Sequence, residues 1–330
     1  MLKIILEKIL PLYFLILSGY VFGKRKNYDL QYSLDIVFYL LAPILVFISF
    51  YKFHLENINI FSLVFANTFY IFLNLFLTYF MLKKLNIFNI QNENSHKGIA
   101  LSIAFSNVAY LGLPLIYFLY GEQGFQIAVL NFLVISILHF SLGIYFLVGK
   151  TYELFKIPFI YAFALAYILK YFKIKLNPSI INFCELTGKS SLPLMLLNLG
   201  TRLSKITTEK VKEGFFISLL KIFINLIFAL LVAKIFNLQG LIKKVFVIQN
   251  MLPSAILNYV FCEKYNKDPT LVASIIFFST LLFSFQLYYL LFIFPYLYFF
   301  SKIFLQFPIS TFHTPFLKAA GRVFLVALYL

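Results

Sequence analysis

The chain has 330 residues, 62% hydrophobic and only 12% charged, with a mean hydropathy of +0.90. A soluble domain of this length needs more polar surface to cover it, which excludes an ordinary globular fold. The net charge of +16 does not point to nucleic acid, because the basic residues fall singly or in short runs between apolar segments, as in loops facing a cytoplasm and anionic lipid.

Apolar stretches recur at the length that crosses a bilayer, roughly 20 residues. In chain order the expected spans are 4–23, 33–51, 60–82, 97–119, 124–148, 157–172, 181–201, 214–236, 242–262 and 270–295. The fold class is an all-α integral membrane protein with ten transmembrane helices. Lys24, Arg25 and Lys26 follow the first span rather than precede it, so it reads as a retained helix and not a signal peptide. The tail 296–330 is aromatic-rich and carries Lys302, Lys318 and Arg322; an interfacial segment and an eleventh span both stay open.

Loop charge sets the orientation. Lys24, Arg25, Lys26, Lys83, Lys84, Lys97, Lys150 and Lys156 face one side of the first half, against Lys3, Lys8 and Lys52 on the other. The second half is evenly split. The N-terminus is therefore expected outside, in a bacterial-type plasma (inner) membrane.

The halves resemble each other. "APILVFISF" around Pro43 pairs with "LPLMLLNLG" around Pro193, and "LGLPLIYFLYGEQG" around Pro114 pairs with "NMLPSAILNYVFCEKYNKDP" around Pro253. Each pair occupies the same place in a five-span unit, and an odd number of spans inverts the second copy. The expected units are 1–150, an inverted 151–295, and an extension 296–330. Inverted repeats with proline- or glycine-interrupted spans at matched positions point to a secondary transporter, with its site where the interruptions meet.

The chemistry agrees. A mid-helix proline removes a donor and frees a carbonyl, which hydrocarbon tolerates only where the freed groups meet protein, water or ligand. Positive half-helix N-termini suit an anion, with Asn107 and Gln249 supplying amides. Asp35 and Glu185 each lie eight residues before the matched prolines Pro43 and Pro193; helix-end capping and ion coupling are both open for them. Lys189 and Lys221 are expected to snorkel to the interface, with pairing to Glu185 as the alternative for Lys189. His139 reads as a hydrogen-bonded core histidine. Cys184 and Cys262 have no metal-ligand spacing, and enzyme signatures are lacking, so no metal, cofactor or catalytic activity is expected.

The segments "LSGYVFGKR", "SNVAYLGLPL", "LLNLGTRLS" and "IQNMLPSAILNYVFCEKYNKDPTLVAS", in this order over about residues 10–295, resemble the auxin efflux carrier family, which includes plant auxin exporters and bacterial malate or malonate permeases. Asn107, Gly112 and Pro114 stand on motif positions of the fourth span, and Gln249, Pro253, Tyr265, Asn266 and Pro269 on those around the ninth. The resemblance implies two inverted five-span repeats, a scaffold half, and a transport half that moves like an elevator. Substrate would bind beside the crossing of spans four and nine, at Asn107, Gly112, Pro114, Gln249, Asn250 and Pro253.

The chain departs from the plant exporters in two polar positions. Asn67 stands where they have an aspartate, and Asn131 where they have a glutamine, so the support site behind the crossing carries no acid here. That leaves protons and sodium open as coupling ions. The expected partners are a small organic anion, membrane lipid, a coupling ion and, by analogy with the fold, a second copy in a homodimer. A sodium/proton antiporter, a sodium-coupled organic-anion symporter and a non-transporting sensor or scaffold are the rival functions.

Overall fold

The computed structural model describes residues 9–25, 30–52, 60–85, 90, 92–150, 156–206 and 209–288. Residues 4–8 of the first expected span, 289–295 of the tenth and the tail 296–330 lie outside the described residues. The elements are helices: α1 (Leu10–Arg25), α2 (30–52), α3 (Ile60–Leu85), α4 (Glu93–Ala104), α5 (Val108–Val148), α6 (Pro158–Tyr171), α7 (Pro178–Lys205), α8 (Val211–Ile235), α9 (Gly240–Asn250), α10 (Ile256–Lys264) and α11 (Pro269–Tyr288). Helix satisfies every backbone group inside its own segment, which is what an apolar surrounding demands.

The ends follow from local chemistry. Asn92 and Asn177 cap α4 and α7 by accepting from the N–H groups of Asn94 and Ser179, each at 2.9 Å. Pro158 and Pro178 begin their helices, where a missing N–H costs nothing. α2 passes through a π turn at Ile36–Leu41 just before Pro43, whereas α7 carries Pro193 without interruption. α5, 41 residues long, is kinked at Gly121, whose φ of +64° and ψ of −156° depart from the helix. Few side chains tolerate that backbone.

Four helices are long and apolar enough to cross a membrane among the described residues: Tyr32–Lys52, Ile60–Lys84, Val108–Val148 and Val211–Ile235. Large apolar side chains such as Phe61, Phe72, Leu186, Phe223 and Phe285 point outward. In water that surface would be costly; against lipid it is not. The chain is a multi-pass membrane protein.

Packing sorts the helices into two groups. α1, α2, α6 and α7 contact one another, and α3, α4, α5, α8, α9, α10 and α11 contact one another. Within the first group α1 and α7 cross at Gly19 and Gly200, where a Cβ would run into the carbonyls of Leu197 and Ile16. α2 and α7 also touch α5, and a cavity lies along that seam.

Candidate functional site

The interruption in the fourth expected span lies upstream of its Gly112-Leu113-Pro114 motif. α4 stops at Ala104, Phe105 is extended (φ −100°, ψ 109°), and helix resumes at Val108. Pro114 then sits in the opening turns of α5, behind a π turn closed by Gly112 N–H donating to Asn107 O at 3.0 Å. In the ninth expected span α9 stops at Asn250, Pro253 stands in the gap itself, and α10 starts at Ile256.

The two gaps satisfy each other. Ser106 and Ser254 form an antiparallel bridge, with Asn107 N–H donating to Pro253 O at 2.8 Å and Ala255 N–H to Phe105 O at 3.1 Å. Proline lacks a donor but keeps its acceptor, so Pro253 gives up nothing here. Side chains close the remaining groups. Asn258 Nδ2 donates to Phe105 O and Ser254 Oγ, both at 2.9 Å, and Gln286 Nε2 donates to Met251 O at 3.0 Å.

On one face of this crossing, α5 and α10 begin. Their first N–H groups have no partners within the helix, and they carry the positive ends of the helix dipoles. A cavity of about 340 Å³ opens onto both starts, reaching Ser106, Asn107 and Tyr110 on one and Ala255 and Ile256 on the other. Asn107, 3% exposed, caps α5 through Oδ1, which accepts from Tyr110 N–H at 3.1 Å. Its Nδ2 donates to no group among the described residues, so a donor stands ready at the cavity wall. Arg202 of α7 and Lys264 of α10 supply cations, and Asp35 of α2 supplies a carboxylate. Arg202 makes no hydrogen bond or ion pair among the described residues, and its Nε is buried and unpartnered. His139 stacks on Phe105 with ring centroids 4.1 Å apart, lines the cavity, and has an Nε2 with no partner among the described residues. Two helix starts and two cations against one acid suit an anion.

On the other face, α4 and α9 end, and their carbonyls meet polar side chains. Asn250 O accepts from Ser106 Oγ at 2.9 Å, Asn225 Nδ2 at 3.1 Å and Tyr70 OH at 3.2 Å. Ile103 O accepts from Lys221 Nζ at 2.9 Å and Asn225 Nδ2 at 3.1 Å. Asn74 Nδ2 donates to Asn225 Oδ1 at 2.8 Å, extending the cluster into α3.

The residues singled out in the sequence divide between these places. Asn107 and Asp35 line the cavity, whereas Gln249 and Asn250 end α9 at the crossing, Pro253 lies in its second gap, and Gly112 and Pro114 are helical residues of α5 beyond the first gap. Gln249 is buried with Nε2 on Ala128 O at 3.3 Å and Oε1 without a partner among the described residues. A Cβ on Gly112 would approach Leu252 to 2.8 Å, so that glycine keeps α5 against the second gap. Asn67 and Asn131 do meet: Asn67 Nδ2 donates to Asn131 Oδ1 at 2.9 Å, and Asn250 Nδ2 reaches Asn67 Oδ1 at 3.4 Å.

The matched acids part company, because Glu185 pairs with Lys52 at a partly exposed position away from the cavity. Lys189 pairs with Glu122 at 3.2 Å, not with Glu185, which is held by Lys52. Lys221 does not snorkel; it is 1% exposed. Arg202, Lys264 and the cavity-facing role of His139 were not legible as site features. Arg202 lies inside "LLNLGTRLS", but read along the chain it is one more charge at a span end.

An apolar, multi-pass chain with an anion-suited cavity between two packed helix groups belongs to the class of membrane transporters. The family model described as "Membrane transport protein" matches residues 4–154 and 146–291, and the chain belongs to this family, the auxin efflux carrier-like membrane transport proteins. It is 27% identical over 295 residues to the uncharacterized transporter MJ1031 of Methanocaldococcus jannaschii, covering 83% of this chain and 94% of that relative. An uncharacterized transporter of Methanothermobacter thermautotrophicus is 25% identical over 193 residues, 56% of this chain and 64% of that relative.

Proposed function

We propose that the protein is a secondary transporter that moves a small organic anion, such as a carboxylate, by an elevator-like alternating-access cycle. The supporting observation is the cavity at the seam of the two helix groups, where the starts of α5 and α10 converge with Asn107, Arg202 and Lys264. In this reading α1, α2, α6 and α7 are the scaffold, and the other group carries the bound anion past it. The chain crosses the bacterial-type inner membrane ten times as two inverted units, 1–150 and 151–295, with the N-terminus outside. Asn107 Nδ2 and the helix starts grip the anion. Asn67, Asn131 and Asn250 hold the crossing rigid behind it, Gln249 and Pro253 shape the second gap, and Gly112 lets α5, which carries Pro114, pack closely against that gap. Asp35 is the acid placed to couple transport to protons, and Glu185 serves as an interfacial ion-pair partner.

The test is uptake of labelled mono- and dicarboxylates into liposomes containing the purified protein. Transport of at least one is expected, with Asn107→Ala lowering it about tenfold or more, the weight of one hydrogen bond to a charged group. If no carboxylate of a broad panel moves or binds, the substrate class is wrong.

A further inference from the structure

Lys221 is the one fully buried lysine among the described residues. It sits about midway along α8, 1% exposed, between Ile217 and Ile224, which belong to a small buried apolar cluster with Ile99 and Ile103. No carboxylate pairs with it among the described residues; Nζ donates to Ile103 O at 2.9 Å and Ser106 Oγ at 3.1 Å. A buried ammonium without a counter-charge is costly, so its surroundings must supply negative potential. They do so without a carboxylate among the described residues, chiefly through backbone carbonyls. Ile103 O belongs to the last turn of α4, and Asn250 O ends α9; both are the negative ends of helix dipoles, aimed into one polar cluster. Ser106 Oγ joins them, receiving from Lys221 while donating to Asn250 O. Asn225, one turn further along α8, bonds both carbonyls.

Carbonyls at the C-terminal ends of interrupted helices are what coordinate a coupling cation in transporters built this way. We propose that Lys221 is a tethered counter-ion that takes the place of such a cation: as an ammonium it neutralises the two half-helix ends from within the fold, so the protein needs no bound sodium to keep the crossing intact. The inference rests on the transport reading for its consequence, a sodium-independent cycle, but not for its structural claim. Because Ser106 lies between Lys221 and the cavity, the fixed charge also adds positive potential behind the bound anion.

The decisive measurement is thermal unfolding of detergent-solubilised protein in choline, sodium and potassium chloride at equal ionic strength. The wild type is expected to melt at the same temperature in all three. Lys221→Ala should melt lower in choline. It should then recover by about 5 °C, saturably, when sodium, potassium or ethylammonium enters the gap at about a hundredfold its dissociation constant. Lys221→Met keeps the stem without the charge and should be destabilised with little recovery, while Lys221→Arg should stay cation-independent. A sodium-stabilised wild type overturns the proposal whether or not any variant folds. So does Lys221→Met melting like the wild type in choline. Where uptake is measurable, wild-type flux should not change on replacing sodium by choline; a sodium requirement counts against the inference while leaving anion transport standing. Absence of any transported anion would sink the transport reading and leave the melting result to decide this one.

Discussion

On one face of the crossing α5 and α10 begin in front of a cavity of about 340 Å³; on the other α4 and α9 end against a packed cluster of side chains. The same two gaps produce both faces, so the difference lies in what each kind of helix end requires. Exposed N–H groups and positive dipole ends can be left to a ligand that comes and goes, provided water or anion can reach them. Carbonyl ends buried among isoleucines have no such visitor, and Tyr70, Ser106, Lys221 and Asn225 are fixed to them instead. Substitutions on the filled face should therefore change stability, and those on the open face should change binding.

The largest effect should follow Asn225→Leu. It removes donors from Ile103 O and Asn250 O and the acceptor of Asn74 Nδ2, all fully or nearly fully buried. Ile103 O keeps Lys221, Asn250 O keeps Ser106 and Tyr70, and Asn74 Nδ2 keeps Tyr70 OH. The cost is therefore that of three buried hydrogen bonds, about 1 kcal/mol each, plus the strain of packing a leucine against polar groups. Thermal unfolding checks this, and the fraction that does fold should bind anion with unchanged affinity. A variant as stable as the wild type would mean that water replaces the amide, and that the filled face is not dry.

On the open face, Arg202→Gln should leave the melting temperature close to that of the wild type, since Arg202 bonds no protein group among the described residues. Anion affinity should fall by about tenfold to a hundredfold, the range of one charge-assisted hydrogen bond, and dianions should suffer more than monoanions. Calorimetric titration with a carboxylate found by the uptake screen measures both. Unchanged affinity together with a large loss of stability would reverse the assignment of the two faces.

How far the sequence carried this picture depends on whether the cause was local. The positions of most helices followed from apolar length, and the second gap from Pro253, because proline acts on its own backbone. The first gap did not. The motif Gly112-Leu113-Pro114 drew attention to the wrong turn, since Pro114 is tolerated near a helix start and Phe105–Asn107 is extended only because it pairs with residues 253–255. Asn107 was legible as a polar residue in an apolar span. Arg202 was not, because α7 brings it to the seam only through its packing on α1 and α2. Lys221 was misread for the same reason: a lysine snorkels when the interface is its best partner, and here the end of α4 is better.

Asp268 gives the comparison a reference point outside the crossing, and the smallest expected effect. It precedes α11 and gathers Lys210 Nζ at 2.8 and 2.9 Å, Ser95 Oγ at 2.6 Å and Thr270 Oγ1 at 3.0 Å. Burial alone would raise its pKa, but the hydrogen bonds from Lys210, Ser95 and Thr270, with the Lys210 charge, hold it below the ordinary carboxylate value. A lowered folded pKa means that the pair adds stability above the unfolded value, near 4, and that this is lost as pH falls through the lower folded one. Lys210 is 42% exposed, so solvent screens the interaction and the contribution is modest. Wild type and Asp268→Asn should therefore differ by a few degrees in melting temperature at about pH 7 and converge towards about pH 3. A gap that stays constant with pH would show that Asp268 acts by capping α11, not by its charge. Lys221, bonded only to carbonyl and hydroxyl oxygens, would then be the structural cation with the larger share in holding this fold together.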